Sequence, residues 1–260
     1  MSLRMIWCTA TYGRPHLLPR VIYSFTHQTY QNRHLIIVDD GGQYGNQTGD
    51  KWELISLRER FPSLGAKRNF IARLAAERGA DAVMPVDDDD IPLAWHTEAS
   101  AAALEKAEWS RPSQILSNCY HGHRLEDGIF RANYTGHKSD QTKERMYHPC
   151  WAIKLNAFER VGGYPAEKSG NEDQGLMWAL EAATVTQVDY IDDCGFQPSY
   201  IYTWGAAGNI SGFLRVGDPA GADAWKKTRR ELKPARIVPW IPSFNWKSPV
   251  ILSGVLPRPF

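Results

Sequence analysis

The chain has 260 residues, a net charge of +1 and 43% hydrophobic residues. This length allows one large domain or two small ones, and the near-neutral charge gives no overall attraction to nucleic acid or to a membrane surface. Cys8, Cys119, Cys150 and Cys194 are scattered without paired spacing, which indicates neither a zinc cluster nor a disulfide framework. We therefore expect free thiols and a cytoplasmic location, with peripheral membrane association left open.

A membrane-spanning segment is not expected. The N-terminal residues enter a strand-like run at once, without the pattern of a signal peptide. The longest apolar candidate, residues 249–257, is too short to span a bilayer and is bracketed by prolines.

The first forty or so residues alternate between strand and helix patterns. Residues 3–9 read as a strand, and residues 11–15 form a turn in which Pro15 suits the first helical position. Apolar residues at helical spacing then predict a helix from Leu17 to about Gln28, and residues 34–38 predict a second strand. This order is typical of a parallel α/β sheet.

The middle of the chain continues the alternation. We predict a flexible polar loop at 41–49, a helix opening at 65–69, a strand at 82–86, a helix at 94–109 and a strand at 114–118. The polar residues 120–147 have no clear periodicity, and we interpret them as hairpins or a variable insertion.

The last part mixes short elements. The patterns predict a strand at 151–154, a helix at 156–160 with a glycine stop, a helix at 176–183, strands at 185–191 and 199–202, a loop at 204–209 and a basic helix at 222–232. Little regular structure is expected beyond residue 233.

Four consecutive carboxylates, Asp87 to Asp90, directly follow the apolar strand 82–86. Like charges in a row repel one another, so the folded state needs positive charge beside them. Mg²⁺ and Mn²⁺ prefer oxygen ligands and commonly take one or two from protein. A solvated acidic loop is the alternative. Because no spacer separates the run from the strand, the pattern favours a metal site at the edge of the sheet.

Two further acidic pairs, Asp39-Asp40 and Glu172-Asp173, are expected at the same edge, because ligands of open α/β sheets bind at the carboxyl ends of the strands. Lys67 and Arg68 at a helix start suit phosphate oxygens. Taken singly, these residues also fit an ordinary turn, first-turn acids and solvent-facing cations. Together they describe a metal–diphosphate site with a separate carboxylate.

These motifs, in this order, resemble those of glycosyltransferase family 2, the inverting enzymes of the GT-A fold. The resemblance extends from residue 3 to about residue 180. Its matching segments are residues 9–15, 28–30, 36–41, 65–69, 86–90, 158–164 and 172–173.

The resemblance implies a role for each matched residue in binding the donor. Thr9, Tyr12 and Asp39 would hold the nucleobase and ribose of a nucleotide-sugar, usually a UDP-sugar. The other expected donor contacts are Arg14, Lys67, Arg68, Asp87 and Asp88. Asp87 and Asp89 would form the Asp-x-Asp motif for Mn²⁺ or Mg²⁺, with Asp89 the direct ligand and Asp88 the alternative, since the four-fold run blurs the register.

The resemblance also implies the reaction. Asp173, in the Glu172-Asp173 motif, would be the general base that takes the proton of an acceptor hydroxyl as it attacks the anomeric carbon. A cation on the diphosphate neutralises the leaving group, and a carboxylate away from that cation stays basic. One displacement inverts the anomeric configuration and needs no nucleophilic residue.

Two departures from the family pattern limit what carries over. The Gln-x-x-Arg-Trp signature of processive members is absent, which favours transfer of a single sugar. No histidine follows His148, so His148 would complete the metal shell, or bind a hydrogen-bonding partner or the acceptor. Trp151, Trp204 and Asn209 are expected to contact the donor or the acceptor.

The expected organisation is a GT-A domain over 1–215, with a nucleotide-sugar half to about 118 and an acceptor half from about 119. A C-terminal basic helix and Pro/Trp-rich tail would follow over 216–260. The acceptor stays open between a glycan, a lipid-linked sugar and modified DNA. A local basic patch fits an acidic partner or a solvated helix face; it comprises Lys226, Lys227, Arg229, Arg230, Lys233 and Arg236.

Two other functions stay open at this point. One is a catalytically silent nucleotide- or sugar-binding module of the same fold, against which the intact Asp39, Asp89 and Asp173 count. The other is a nucleotidyltransferase, which would attack phosphorus and would not need Glu172-Asp173.

Overall fold

The structure, a computed structural model, describes residues 2–121, 124–125, 130–133, 148–166, 172–204 and 233–234. The helices are α1 (Leu18–Thr26), α2 (Leu64–Glu77), α3 (His96–Lys106), α4 (Leu155–Arg160) and α5 (Glu172–Ala182). The strands are β1 (Met5–Thr11), β2 (Arg33–Asp39), β3 (Gln47–Gly49), β4 (Trp52–Ser56), β5 (Ala82–Pro85), β6 (Ile91–Pro92), β7 (Trp109–Ser110), β8 (Gln114–His121), β9 (Arg124–Leu125), β10 (Phe130–Asn133), β11 (Ala152–Lys154), β12 (Gln187–Val188), β13 (Tyr200–Trp204) and β14 (Lys233–Pro234).

The main sheet has the strand order β12-β7-β11-β5-β1-β2-β4-β3. Its centre is parallel, because β5, β1, β2 and β4 pair in the same direction, while β11 and β3 join antiparallel. Side chains alternate across the sheet: Ile6 and Cys8 face the layer with α2, and Met5 and Trp7 face the layer with α1. The fold prediction, an α/β sheet of mostly parallel strands between helices, is confirmed.

A second sheet, ordered β14-β10-β8-β13-β6, lies beyond the acidic run. β5 belongs to the main sheet and β6 to the second sheet, so residues 87–90 connect the two. Because β1, β2 and β5 are parallel, their carboxyl ends lie at one edge, and this edge carries Thr11, Asp39 and the start of the acidic run.

The helix starts follow local chemistry. α1 begins at Leu18, after the turn that holds Pro15, and Pro19 occupies its first turn, where the missing N–H costs little. Ser63 caps α2 by accepting the backbone N–H of Ala66 at 3.1 Å.

Some predicted boundaries are wrong. β4 was not expected from the sequence. Only Leu54 among its five residues is buried, so the alternation of apolar and polar residues is weak. The helix predicted at 94–109 ends at Lys106, since the fully buried Trp109 pairs with β11 and β12 in the main sheet. α5 begins at Glu172 rather than at Leu176.

Some predictions lie outside the described residues. These are the loop 205–209, the basic helix 222–232 and much of the segment 120–147. Among the described helices, none combines the length and the hydropathy needed to cross a bilayer.

Candidate metal centre and active site

The four aspartates between β5 and β6 point into different surroundings. Asp87 keeps 31% of its side chain exposed, whereas the next three are buried. Asp88 Oδ2 accepts the Thr11 hydroxyl at 2.6 Å. Asp90 accepts the backbone N–H of Thr203 at 2.7 Å and the hydroxyl of Tyr200 at 3.0 Å, so it fastens β13 to the run.

Three arginines supply positive charge to the run. Arg14 bridges two carboxylates, with Nη1 at 2.9 Å from Asp89 Oδ2 and Nη2 at 3.2 Å from Asp88 Oδ1. Arg20 is buried and donates to the backbone carbonyl of Asp89. Arg68 Nη2 donates to Asp87 Oδ1 at 2.9 Å.

The run fits a hard divalent cation. Oxygen atoms of Asp87, Asp89 and Asp90 lie within 4.8 Å of one another. Burial raises the pKa of Asp89 to about 7; the positive charge of Arg14 opposes the rise, and the charges of Asp88 and Asp87 add to it. The pKa of Asp90 is also raised by burial and by its acidic neighbours. A divalent cation would stabilise these carboxylates in their ionised form, and oxygen donors are those that Mg²⁺ and Mn²⁺ prefer.

Asp88 does not belong to the group of converging carboxylates, which consists of Asp87, Asp89 and Asp90. Its carboxylate is fully buried against Thr11 and Arg14. The alternative in which Asp88 is the direct ligand is therefore disfavoured by the geometry.

Arg68 joins the acidic run to the start of α5. Its Nη1 donates to Glu172 Oε1 at 2.7 Å while its Nη2 holds Asp87. Burial acts to lower the pKa of Arg68, but attraction to Asp87, Tyr164, Glu172 and Asp173 outweighs burial and raises it. The guanidinium is therefore a fixed positive charge between the two acidic groups.

Close backbone packing brings α2 and α5 together at this point. A Cβ atom on Gly65 would lie 2.1 Å from the carbonyl oxygen of Pro165 and 3.3 Å from Glu172 Cβ, so glycine is required there. Glu172 is buried and forms an ion pair with Arg68. Asp173 is half-buried beside it, and its Oδ1 accepts the backbone N–H of Gln174 at 2.8 Å.

Lys67 contacts the ends of β1 and β2. Its Nζ donates to Asp40 Oδ1 at 2.7 Å and to the carbonyl of Thr11, and the residue is only 4% exposed. Burial lowers its pKa, with Asp40 opposing the shift. Lys67 therefore holds the ends of β1 and β2 together, and its expected contact with the donor phosphate stays a prediction.

Of the three residues expected at the nucleobase and ribose, only Tyr12 presents open surface. Thr9 and Asp39 are fully buried. Asp39 accepts the backbone N–H groups of Gly41 and Gln43 and the hydroxyl of Ser56, at 2.9–3.0 Å, and so shapes the loop after β2. Tyr12 is 38% exposed, and the guanidinium of Arg60 lies 3.5 Å from its ring centroid.

His148 and Trp151 lie in the core, where His148 has a hydrogen-bonding partner, one of its three expected roles; the expected contacts of both residues with donor or acceptor stay predictions. The hydroxyl of Tyr164 lies 2.6 Å from His148 Nε2, and the Trp151 ring packs edge-to-face against Trp109 at 5.1 Å. Trp204 ends β13, and Asn209 lies outside the described residues, so their expected contacts stay predictions.

The sequence interpretation missed Arg20 and Tyr164. Arg20 and Ser24 on α1, and Gln28 two residues beyond its end, are buried polar residues at four-residue spacing, beside the apolar positions. A charged residue so close to the apolar face of α1 was the sequence feature that could have indicated a role for Arg20. Tyr164 lies within 5.7 Å of the Arg68 guanidinium, a contact that no local pattern indicates.

The sheet, the acidic run and the joined start of α5 define the class of the protein as a GT-A glycosyltransferase fold. A family model described as "Glycosyl transferase family 2" matches residues 6–161. The chain belongs to this family. A comparison with curated protein sequences finds no match.

Solved structures agree on the fold. S. aureus TarS in complex with UDP-GlcNAc is 14% identical, with a TM-score of 0.55 over 81% of this chain and 61% of that chain. The mannosyltransferase PcManGT from Pyrobaculum calidifontis, in complex with GDP-Man and Mn²⁺, is 13% identical, with a TM-score of 0.51 over 88% of this chain and 61% of that chain. The chain thus covers under two thirds of these relatives, and at such identities the likeness establishes the fold alone.

Proposed function

We propose that the chain is a metal-dependent, inverting glycosyltransferase that moves one sugar from a nucleotide-sugar to an acceptor hydroxyl. The observation that carries the proposal is the Arg68 bridge, with one guanidinium on Asp87 and Glu172. It supports the proposal because it joins Asp87, which would bind the cation, to the Glu172-Asp173 pair, the arrangement that a displacement at an anomeric carbon requires.

The donor side is assigned to the edge formed by β1, β2 and β5. Asp87 and Asp89 would hold Mn²⁺ or Mg²⁺; Arg68 pairs with Asp87, and Arg14 pairs with Asp89. When bound, the cation neutralises charge on the leaving diphosphate. The exposed ring of Tyr12 suits a stacked nucleobase. The relatives were solved with a UDP-sugar and a GDP-sugar, and we favour a UDP-sugar as the donor here.

The acceptor side is assigned to the start of α5. Glu172 is occupied by Arg68 and positions the helix, whereas Asp173 is half-buried and reaches the surface. Asp173 would take the proton of the acceptor hydroxyl while the oxygen attacks the anomeric carbon opposite the diphosphate. A single displacement inverts the anomeric centre. We place acceptor recognition in residues 119–215 and in the tail 216–260, with a glycan, a lipid-linked sugar or modified DNA as the acceptor and transfer of one sugar per encounter.

The test is release of nucleoside diphosphate from a panel of UDP- and GDP-sugars, with and without Mn²⁺. We expect slow, Mn²⁺-dependent hydrolysis of one donor by the unaltered chain. Asp89→Asn should lower Mn²⁺ affinity by about tenfold or more, and Asp88→Asn by much less. Asp173→Asn should bind donor and metal normally but lose transfer once an acceptor is found. Asp192→Asn, on an exposed turn, is the matched control.

The other functions give different results in the same assay. A silent binding module would bind a nucleotide with Mn²⁺ but release no diphosphate from any donor. A nucleotidyltransferase would release pyrophosphate from a nucleoside triphosphate and a sugar phosphate. Absence of both turnover and metal-dependent nucleotide binding would overturn the proposal.

A further inference from the structure

Arg14 reaches the acidic run from the loop between β1 and α1. The loop turns at Gly13, which has a φ of 72° and donates its backbone N–H to Gln43 Oε1 at 2.7 Å. The left-handed conformation suits glycine and directs the chain back over the ends of the strands. From this anchored turn the Arg14 side chain, only 12% exposed, extends to Asp88 and Asp89.

Arg14 contacts two of the three buried carboxylates of the run at once. The buried Asp88 Oδ1 makes no hydrogen bond within the described part of the chain and faces Arg14 Nη2 at 3.2 Å. Asp89 Oδ2 lies 2.9 Å from Arg14 Nη1. Arg20 donates to the backbone carbonyl of Asp89, and Arg68 holds Asp87.

A divalent cation on Asp89 would compete with this arrangement. The same carboxylate belongs to the group whose oxygens converge for a metal. A guanidinium and a divalent cation bound to one buried carboxylate lie within a few ångströms of each other, where like charges repel strongly. Either the cation binds weakly or the guanidinium moves away from Asp89.

We infer that Arg14 is the resident counter-ion of the metal site, that a divalent cation displaces it from Asp89, and that the released guanidinium binds the diphosphate of the donor. A planar guanidinium suits phosphate oxygens as well as it suits carboxylates. The inference rests on the proposed function and adds to it a reason for metal and donor to bind together. Arg14 acts here as a positioning residue that exchanges one anionic partner for another.

The exchange predicts cooperative binding. Metal binding frees Arg14 for the diphosphate, and diphosphate binding holds Arg14 away from Asp89, so each ligand raises the affinity for the other by the same factor. Without the guanidinium, the cation binds Asp89 without competition. The diphosphate then lacks the group through which metal binding raises its affinity.

The experiment measures Mn²⁺ binding by electron paramagnetic resonance, with and without UDP or GDP. The proteins are the unaltered chain, Arg14→Gln, Arg14→Lys and Arg73→Gln. Arg73→Gln removes the same charge from an exposed face of α2, where the side chain lies over Phe70. For Arg14→Gln we expect Mn²⁺ affinity without nucleotide to rise about tenfold, the scale of one charge-assisted hydrogen bond, and the gain on adding nucleotide to shrink by a similar factor. Arg73→Gln should match the unaltered chain.

Unchanged or weaker Mn²⁺ binding by Arg14→Gln, while the unaltered chain binds Mn²⁺, would overturn the inference and leave the proposed function standing. Absence of Mn²⁺ binding by every protein, with and without nucleotide, would overturn both. If Arg14→Gln lacks a cooperative thermal transition, Arg14→Lys decides. A lysine keeps the charge but bridges two carboxylates poorly, so Mn²⁺ should bind it more tightly than the unaltered chain, and equal affinity would count against the inference.

Discussion

Arg68 and Glu172 are 104 positions apart in the chain, yet Arg68 Nη1 donates to Glu172 Oε1 at 2.7 Å. The other terminal nitrogen of the same guanidinium holds Asp87 at 2.9 Å. One buried side chain on α2 therefore sets the distance between the end of β5 and the start of α5. In the proposed mechanism this distance separates the leaving diphosphate from the base.

Removing Arg68 should destabilise the fold. Arg68→Ala leaves Glu172 buried without its partner, and breaking a buried ion pair costs about 3–5 kcal/mol. Urea denaturation of Arg68→Ala, Glu172→Gln and the double variant should give a large coupling energy between the two positions. The more exposed, bidentate pair Arg160–Glu108 is the comparison, and its cycle should give a coupling of at most about 1 kcal/mol. Similar couplings for both pairs would contradict the structural role of Arg68.

Lys67 should matter for stability more than for nucleotide binding. Lys67→Met leaves the buried carboxylate of Asp40 without its ammonium partner, and we expect a loss of about 3 kcal/mol of unfolding free energy. Calorimetric UDP affinity in the presence of Mn²⁺ should change by less than about threefold, because the ammonium faces the interior. A stable variant that loses most of its UDP affinity would support the phosphate role predicted from the sequence.

Gly65→Ala should be destabilising although alanine is the better helix former. The added methyl group would meet the Pro165 carbonyl at 2.1 Å, and overpacking of this kind costs about 1–3 kcal/mol, more than the gain in helix propensity of up to about 1 kcal/mol. The shift should also displace Glu172 and lower transfer activity. Gly45→Ala, where the methyl group meets open space, is the control and should leave the melting temperature nearly unchanged.

Acid should destabilise the protein partly through His96. This side chain on α3 is fully buried, its Nδ1 lies 2.8 Å from Ser199 Oγ, and burial lowers its pKa to about 3. The unfolded chain binds the proton near pH 6.5, so the contribution of His96 is complete above that pH. It falls as the pH decreases toward 3, by about 1.4 kcal/mol per pH unit.

The comparison for His96 is the His96→Asn variant, whose side-chain amide can replace Nδ1 as the hydrogen-bonding partner of Ser199. Between pH 6.5 and 5 its unfolding free energy should depend on pH less steeply than that of the unaltered chain, by about one proton. Between pH 7.5 and 9 the difference between the two proteins should be constant. Buried His148, whose pKa is also lowered by burial, is present in both and cancels. Parallel slopes from pH 6.5 to 5 would contradict a buried neutral His96.

The sequence alone was sufficient for the elements that local patterns specify. The spacing of apolar residues at 17–25 predicted α1, and the apolar run 82–86 predicted β5, with each end correct to within two residues. Such patterns suffice because the burial of one face depends on residues that are close together in the sequence. The side-chain directions at Lys67, His148 and Trp151 were not predictable in this way. Each of them is turned inward by partners that lie on other elements.

The sequence by itself determined the fold class, the family and the acidic run at the end of a buried strand, because hydrophobic periodicity and short motifs are local properties of a chain. Only the tertiary structure decided which carboxylate does what. Asp88 accepts a hydrogen bond from Thr11 and lies outside the group of converging oxygens. Asp90 accepts the backbone N–H of Thr203 on β13, and Arg68 donates to Glu172. These partners are 77 to 113 positions apart, and they meet because strand order, which is a long-range property, brings their elements to one edge of the sheet.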